Sequence, residues 1–318
     1  MFVGEQLGRY HLLDRIAIGG MAEIYKATTF DARGKTHVVA IKRLLSCGDA
    51  ELIKMLVDEA KTVAFINHPN IAKVFEFAQV GEEHFIAMEY VAGKDMRTII
   101  NRCQSLGTQF PIDASIYVMT QVMDALHAAH EQCDGAGVPL NIVHRDVSPS
   151  NIMVTYDGQV KLCDFGIAKT KLSQVQTKAG IIKGKVRYMS PEQTMGKKLD
   201  RRSDIFSAGS VLYEMLTEHV PFEADNEVEL ILRVRETKFV RPSRIHHDIP
   251  DDLDKIFKIA LARSETRRFQ TAADFSKSLR NFLKKNAPDY CAQSLRKTVH
   301  NLFPNEIQDE IGQVDPAA

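Results

Sequence analysis

The alternation of apolar and polar positions predicts strands in most of the first ninety residues. Residues 37–44, HVVAIKRL, form a β-branched run with the length of a buried strand. The segments YHLLDRIA and AEIYKATTF flank Gly19-Gly20 and predict a hairpin, and residues 75–91 predict a second hairpin that turns at Gly81. One helix interrupts these strands, because an apolar face runs through Leu52, Leu56, Ala60 and Val63.

After about residue 95 the apolar spacing becomes helical. Residues 114–130 and 272–285 are amphipathic, whereas residues 204–217 are apolar nearly all round and predict a buried helix. We therefore expect a small β-rich lobe at 10–88 and a larger helical lobe at 96–286, joined by residues 89–95 and preceded by an extension at 1–9. A cleft between two such lobes is a preferred place for a ligand.

The last segment of the chain, 287–318, predicts an appended helix. Leu295, Val299 and Leu302 recur at helical spacing within residues 291–303 and make one apolar stripe. We expect this tail to pack on the larger lobe, although the stripe would also suit a dimerisation or docking element.

Composition excludes several classes of protein. The chain has 318 residues, of which 44% are hydrophobic and 26% charged, with 41 basic and 41 acidic side chains, so nothing indicates a general binder of nucleic acid or of anionic membranes. The five cysteines show no C-x-x-C spacing, no secretory signal begins the chain, and no apolar run approaches the roughly 18 residues of a membrane span. We expect a reducing, cytoplasmic compartment, with no nucleic-acid or membrane partner.

A few polar residues indicate phosphoryl transfer. In VHRDVSPSNIMV, residues 143–154, Asp146 and Asn151 lie five positions apart on a predicted loop, and Asp164 follows in KLCDFGIAK. This chemistry needs a carboxylate that orients the attacking hydroxyl and accepts its proton, which suits Asp146, and oxygen ligands for Mg²⁺, which suits Asn151 and Asp164. Lys42, at the end of a predicted strand, could reach phosphate oxygens, with Glu59 as its ion-pair partner.

These residues occur in an order that resembles the signature set of protein kinases: Lys42 in VAIK, Glu59 before HPNI, HRD with Asn151, DFG, and SPE at 190–192. The segments GGMAEIYKA and YMSPEQ are typical of the eukaryotic-like (Hanks-type) bacterial serine/threonine protein kinases, and the resemblance covers about residues 10–285. It implies an α+β, bilobal protein-kinase fold, with one helix in a small β-rich N-lobe, a larger helical C-lobe and a nucleotide cleft between them. It also implies Mg-ATP as cofactor, with Mn²⁺ as an alternative ion, and protein substrates. A homodimer for autophosphorylation in trans is left open.

The resemblance assigns further roles. The phosphate-covering loop would comprise Ala17, Ile18, Gly19, Gly20, Met21 and Ala22. The other nucleotide contacts would come from Ile16, Ile24, Ala40 and Met153 around adenine, Met88 as gatekeeper, Glu89 and Val91 in the hinge, and Asp95 at the ribose. Structural support would come from Asp204, which would brace the catalytic loop, from a Glu192–Arg268 pair, which would anchor the activation segment, and from His144, which would pack beneath Phe165.

The phosphate-covering loop departs from the G-x-G-x-x-G pattern. Glycine would be expected at 17, 19 and 22, where the chain has Ala17, Gly19 and Ala22. An alanine methyl is unfavourable only where the backbone needs positive φ, and a strand–turn–strand loop does not require that at either alanine. We therefore interpret the loop as a working but stiffer clamp.

Two residues beside the catalytic loop are exchanged in type relative to the family. Serine/threonine kinases usually have lysine two residues after the catalytic aspartate and threonine after the glycine of the substrate-binding segment, whereas this chain has Ser148 and Lys185. We hypothesise that Lys185 supplies the positive charge near the γ-phosphate and that Ser148 supplies the hydroxyl. The alternative is a solvated loop lysine and a simple loss at 148.

The activation segment, 164–192, contains three hydroxyl residues that could be phosphorylated. Thr177 lies near where related bacterial kinases are phosphorylated, and a phosphate there could pair with Arg145, whereas Thr170 and Ser173 are expected to be ordinary loop residues. Three alternative functions stay open: a pseudokinase scaffold, a small-molecule phosphotransferase and a tyrosine kinase. Ala17, Ala22 and Ser148 favour the first, but it is opposed by a larger set: Lys42, Glu59, Asp146, Asn151 and Asp164. GKVRYMSPEQ with Arg268 argues against the second. The HRD loop lacks the Ala-Arg pattern of tyrosine kinases, but the lysine missing at 148 weakens that exclusion.

Overall fold

A computed structural model describes residues 4–19, 22–45, 65–165 and 184–308. The described residues fall into two compact units, which meet in sequence between Ala92 and Gly93, inside the predicted connection at 89–95. No helix among the described residues combines the length and the apolar character needed to cross a bilayer. The predicted helix through Leu52 and Val63 lies outside the described residues.

The smaller unit contains an antiparallel six-stranded sheet with the order β1-β2-β3-β4-β6-β5. Its strands are β1 Gln6–Leu7, β2 Tyr10–Ile18, β3 Ala22–Phe30, β4 Thr36–Leu44, β5 Val74–Val80 and β6 Glu83–Glu89. Both predicted hairpins are confirmed, and Gly81 has the positive φ (61°) that the second turn needs. Tyr10, Tyr25 and Phe85 are the largest side chains of its buried core.

Two residues of the predicted N-terminal extension, 1–9, pair with this sheet. Gln6 pairs with His11 and Leu7 with Tyr10, and Leu7 is buried in the sheet core. The two-residue strand β1 is too short to show an alternating pattern, so its pairing is not apparent in the sequence.

The larger unit, Gly93–Gln308, is mostly helical and contains a three-stranded sheet. That sheet has the order β7-β8-β9, formed by Gly93–Asp95, Ile152–Thr155 and Val160–Leu162. The helices comprise Met96–Ser105, Ile112–His130, Pro191–Thr194, Arg201–Thr217, Glu227–Glu236, Pro242–Ile245, Asp251–Ala260, Ala272–Asn286 and Ala292–Leu302. Two short 3₁₀ turns occupy Pro149–Asn151 and Glu265–Arg267.

The helix Arg201–Thr217, called the central helix here, is buried along almost its whole length, as its apolar sequence predicts. It begins at the cap Asp200, whose carboxylate accepts a hydrogen bond from the backbone N–H of Arg202 (2.9 Å), and ends at Glu218 in the left-handed conformation. Because every face is covered, its polar side chains must find buried partners. Two of them, Asp204 and Glu214, do so at the candidate active site.

The appended helix, Ala292–Leu302, is called the tail helix here and packs on the larger unit as predicted. Leu295, Val299 and Leu302 are buried. The His300 imidazole Nε2 donates to the Tyr156 carbonyl (2.9 Å) in the turn between β8 and β9, and Arg102 Nε donates to the Leu302 carbonyl (3.0 Å). The tail helix is therefore fixed at its carboxyl end as well as along its apolar stripe.

Candidate active site

The loop that contains Asp146 is held by hydrogen bonds to Asp204 of the central helix. The Asp204 carboxylate is buried and accepts hydrogen bonds from the backbone N–H groups of His144 and Arg145, both at 2.8 Å, and from His130 Nε2 at 2.8 Å. Burial alone would raise the pKa of Asp204, but the His130 hydrogen bond and the nearby His144 lower it below the usual value. The predicted brace is confirmed, and it fixes Arg145 in a left-handed conformation (φ 64°) directly before Asp146.

Asn151 orients the predicted base. Its amide Nδ2 donates both to the Asp146 carbonyl (2.7 Å) and to Asp146 Oδ2 (2.8 Å), across the 3₁₀ turn Pro149–Asn151. Since both amide hydrogens point to Asp146, the remaining polar atom is Asn151 Oδ1, which makes no hydrogen bond to any described residue. An amide oxygen is a ligand that Mg²⁺ accepts, so the donor set fits the predicted metal role.

Asp164 is brought to the same place by the end of β9. The backbone N–H of Cys163 donates to the Asn151 carbonyl (2.8 Å), so the segments that carry Asn151 and Asp164 are hydrogen-bonded to each other. Asp164 adopts φ 55°, a conformation that aspartate tolerates better than most residues. The next residue, Phe165, packs on the buried His144 ring at 4.5 Å between centroids, as predicted, and His144 Nε2 bonds the Cys163 carbonyl (3.1 Å).

These residues line a pocket of about 450 Å³ in the larger unit. Asp146, Ser148, Asn151, Asp164 and Lys185 all contribute to its wall. The Lys185 ammonium Nζ lies 3.7 Å from Asp146 Oδ2, so the lysine does reach the space around the predicted base. The hydroxyl contact proposed for Ser148 stays a prediction, although Ser148 lines the same pocket.

A largely buried network in the wall of the pocket was not predicted from the sequence. Arg97 makes a bidentate ion pair with Glu214 of the central helix, at 2.7 and 2.9 Å, and Tyr188 donates to Glu214 Oε2 at 2.5 Å. Arg97 also hydrogen-bonds the Tyr188 hydroxyl. Burial, and then the Glu214 charge, raise the pKa of Tyr188. The sequence offered one signal for this network, a glutamate inside a helix predicted to be buried, because a buried charge requires a partner.

The segment after Lys185 is anchored by the predicted Glu192–Arg268 pair. Arg268 donates to both Glu192 carboxylate oxygens, at 2.7 and 2.8 Å, and Ser203 donates to Oε1 at 2.5 Å. Burial would raise the pKa of Glu192, but Arg268 and Ser203 lower it below its usual value. The neighbouring Gln193 Nε2 donates to the Arg145 carbonyl (2.8 Å), a contact that sequence reasoning missed.

In the smaller unit, the strand register groups the predicted nucleotide contacts. Cross-strand pairs place Ile24 opposite Lys42 and Ala40 opposite Met88. Ala40 and Lys42 lie two positions apart on β4, so their side chains point to the same face. Because directly paired residues share a face of a sheet, these four side chains lie on one face. The sheet therefore brings the predicted phosphate lysine next to predicted adenine contacts.

The strands on either side of the predicted phosphate-covering loop have the geometry that we expected. Ala17 and Ala22 lie in β2 and β3, and neither adopts positive φ. Gly19 N–H donates to the Ala22 carbonyl (2.8 Å). Ile16 and Ile18 are 51% and 64% exposed, which is unusual for isoleucine and leaves apolar surface for a ligand.

The remaining nucleotide candidates have additional structural roles or lie outside the described residues. Glu89 accepts a hydrogen bond from the Lys73 backbone, and Val91 is half-buried. Asp95 caps the helix Met96–Ser105 through Thr98 and pairs with Met153 across β7 and β8. The candidates outside the described residues are Gly20, Met21, Glu59, Thr170, Ser173 and Thr177.

Comparison with known proteins identifies the family. The family profile of the protein kinase domain matches residues 10–298, and the chain belongs to this family. The match begins at the residue predicted for the first lobe and extends into the tail helix. The kinase domain of PknI from Mycobacterium tuberculosis has the same fold, with a TM-score of 0.66 at 22% identity, over 88% of this chain and 99% of that one. This likeness confirms the α+β bilobal kinase fold class.

Curated relatives include bacterial protein kinases of two stated specificities. Tyrosine-protein kinase MasK of Myxococcus xanthus is 39% identical over 98% of the chain and 48% of its own length. Serine/threonine-protein kinase PknB of Mycolicibacterium smegmatis is 35% identical over 88% of this chain and 44% of the PknB sequence. Serine/threonine-protein kinase PrkC of Bacillus subtilis is 31% identical over 88% of this chain and 41% of the PrkC sequence. The chain thus spans less than half of each of these relatives.

Proposed function

We propose that this chain is an ATP-dependent serine/threonine protein kinase domain that transfers the γ-phosphate of Mg-ATP to protein hydroxyls and phosphorylates its own activation segment. The observation that carries the proposal is the pocket in which Asn151 orients Asp146 and which Asp164 and Lys185 also line. Relatives named serine/threonine kinases support the acceptor type. We propose the cytoplasm as the compartment, because ATP is available there.

The residues have distinct roles in the proposed transfer. The acceptor hydroxyl oxygen forms a bond to the γ-phosphorus while the bond from that phosphorus to the β,γ-bridging oxygen breaks, and ADP leaves. Asp146 orients the hydroxyl and accepts its proton, and Asn151 holds the Asp146 carboxylate in place. Lys185 supplies positive charge beside the carboxylate, where negative charge on the transferred group must be stabilised.

The smaller unit contains the candidate phosphate ligands, and the larger unit contains the candidate metal ligands. Lys42 and Glu59 would form the phosphate-holding ion pair, and Asn151 Oδ1 and Asp164 would ligate the divalent ion, Mg²⁺ or Mn²⁺. When bound, the ion neutralises part of the phosphate charge. The exposed Ile16 and Ile18 are suited to cover the nucleotide. A homodimer for autophosphorylation in trans remains part of the proposal.

Tyrosine phosphorylation is the second candidate, because MasK is named a tyrosine kinase and is 39% identical over nearly the whole chain. The departure at Ser148 removes the lysine that would otherwise argue for serine/threonine specificity. Nothing in the site or in the comparisons supports the alternative of a pseudokinase scaffold.

The test is incubation of the purified chain with labelled ATP and Mg²⁺, followed by phosphoamino-acid analysis and site mapping. Asp146→Asn is the inactive variant, and Asp157→Asn, in an exposed turn, is the matched control. We expect phosphothreonine at Thr177 or neighbouring hydroxyls in the wild type and the control, and no label in Asp146→Asn. Label on tyrosine alone would establish the second candidate. Absence of transfer to the chain and to added protein substrates, despite measured ATP binding, would contradict both.

A further inference from the structure

A second concave surface, distinct from the Asp146 pocket, lies on the larger unit. This basic groove has a volume of about 890 Å³, and its walls come from residues 191–197, 255–259 and 262–267. It shares no lining residue with the pocket around Asp146. One wall is the helix Pro191–Thr194 with the residues that follow it, and the other is the exposed face of the helix Asp251–Ala260 with the loop after it.

Positive charge is concentrated in the basic groove. Five exposed cations line it: Lys197, Lys255, Lys258, Arg263 and Arg267. Only Lys255 among them forms an ion pair with a described residue, Asp252 at 3.1 Å. The lining contains two carboxylates, and one of them, Glu192, is buried and fully engaged by Arg268. In a chain with equal numbers of acidic and basic residues, this imbalance favours an anionic ligand.

The basic groove also exposes apolar surface. Met195 and Ile259 line it and are 38% and 39% exposed. A ligand that satisfies both features must carry acidic groups together with an apolar side chain. A peptide segment meets this requirement, whereas a nucleic-acid backbone presents charge without an apolar side chain to cover Met195 and Ile259.

The basic groove adjoins the element that contacts the catalytic loop. The helix Pro191–Thr194 forms one wall, and its Gln193 donates to the Arg145 carbonyl, one residue before Asp146. The same helix is fixed by a capping box at Ser190 and by the Glu192–Arg268 pair. A protein bound in the basic groove would therefore be held on the same compact unit as the pocket that receives its hydroxyl.

We propose that the basic groove is a docking site for an acidic segment, carrying an apolar residue, of the proteins that this kinase phosphorylates. The inference rests on the proposed kinase function for the identity of the partner and on charge complementarity for its chemistry. Docking on the same unit as the pocket raises the local concentration of the acceptor hydroxyl. It should lower KM for a substrate protein and leave kcat unchanged.

Binding can be measured without nucleotide. The probe is a fluorescein-labelled peptide, Asp-Glu-Asp-Leu-Glu-Asp, which has no hydroxyl acceptor, and the readout is fluorescence anisotropy at low and physiological salt. The groove variant is Lys258→Glu with Arg263→Glu. The control is Lys277→Glu with Lys284→Glu, which makes the same charge change at exposed positions of another helix. We expect the groove variant to weaken binding at least tenfold and the control to change it less than twofold.

A second measurement connects docking to transfer. A serine peptide is compared with the same peptide joined to the acidic segment by a Gly/Ser linker of about 20 residues, which spans roughly 25 Å on average. We expect the linked peptide to have an approximately tenfold lower KM with the same kcat, and the groove variant to lose this advantage while keeping the kcat for the short peptide.

The outcomes separate the docking inference from the kinase proposal. Equal probe binding by the groove variant and the wild type, or unchanged binding when the probe leucine is replaced by glycine, would overturn the inference. Tighter binding of a short DNA duplex than of the probe would also overturn it. The same holds if an active kinase has equal KM values for the linked and the short serine peptide. Absence of transfer to either peptide while groove-dependent binding persists would instead contradict the kinase function and, with it, the identity of the partner as a substrate.

Discussion

At the scale of single residues, the contact between Lys185 and Asp146 gives the exchange hypothesis its test. Lys185→Ala removes the ammonium group that lies beside the Asp146 carboxylate. We expect turnover to fall by about 10²-fold, since the charge acts on the transferred group, while nucleotide affinity changes little. Steady-state kinetics and a nucleotide titration measure the two effects. Lys198→Ala, an exposed lysine outside the pocket, is the control.

A reciprocal substitution tests whether the two side chains act as a pair. Ser148→Lys with Lys185→Thr restores the arrangement that is usual in serine/threonine kinases. If Ser148 and Lys185 have exchanged roles, the double variant should recover most of the turnover that Lys185→Thr alone loses. The reason is that the lysine at position 148 returns the required positive charge. A double variant no better than Lys185→Thr would show that Ser148 and Lys185 do not substitute for each other.

The Asp204 brace gives a second prediction at this scale. The two Asp204 oxygens accept from two backbone N–H groups and from His130, so an amide at this position would turn its NH₂ towards at least one donor. Asp204→Asn should therefore destabilise the larger unit by about 3 kcal/mol or more and lower kcat, because the loop that carries Asp146 loses its support. Urea unfolding and kinetics check both effects, with Asp157→Asn as control. An Asp204→Asn protein of wild-type stability would contradict the brace.

Residues that belong to motifs could be grouped from the sequence, whereas contacts between unrelated segments could not. Asp146, Asn151 and Asp164 were expected together because of their motif spacing, and they line one pocket. Glu192 and Arg268 were paired by the family resemblance, and they form the ion pair. Arg97 and Glu214 are 117 positions apart, and no periodicity shows that a helix start will face the central helix. Their pairing is a consequence of tertiary packing.

At the scale of elements, the β8–β9 hairpin and the tail helix form one structural unit. The turn glycine, Gly158, has φ 81°, and a Cβ there would lie 2.1 Å from the Ala292 carbonyl oxygen and 2.8 Å from the Arg296 amide nitrogen. The other end of the hairpin leads to Asn151 and Asp164. The sequence predicted the tail helix and its buried stripe, but not this contact, because an apolar stripe does not specify which surface covers it.

Two glycines with the same φ angle separate backbone strain from the tail contact. Gly137 has the same φ of 81° as Gly158, but no heavy atom of a described residue lies within 4 Å of the position that an alanine methyl would occupy there. Gly137→Ala should cost about 1 kcal/mol of stability from the left-handed backbone alone, whereas Gly158→Ala should cost about 1–3 kcal/mol more because the tail helix must move. Urea unfolding gives the difference.

Limited proteolysis shows whether the tail helix is the element that is displaced in Gly158→Ala. Trypsin sites at Arg296 and Lys297 lie within it. We expect these sites to be cleaved faster in Gly158→Ala than in the wild type, and at the wild-type rate in Gly137→Ala. Equal stability and equal cleavage in the two alanine variants would mean that the hairpin and the tail helix are not coupled.

At the scale of the whole molecule, buried carboxylates determine the response to acid. The net charge is zero at neutral pH, so charge repulsion contributes little there and rises as carboxylates are protonated. Glu192 and Asp204 are buried and have pKa values below their usual 4.5 and 3.8, owing to Arg268 and to the histidines around Asp204. In the unfolded chain both groups bind protons at higher pH than in the folded protein.

The sign of the pH dependence follows from these lowered values. The stabilisation from each group is complete above its unfolded pKa and is lost as the pH falls through its folded pKa. The free energy of unfolding should therefore decrease from about pH 5 to about pH 3.

Glu192→Gln should be less stable than the wild type at pH 7, because Arg268 stays buried beside a neutral amide. The stability of this variant should also fall less steeply between about pH 5 and about pH 3. Urea unfolding at half-unit pH steps measures both, with the exposed Asp157→Asn as control. A Glu192→Gln protein with the wild-type slope would show that acid acts on the molecule through other carboxylates, and would leave Asp204 as the group to test next.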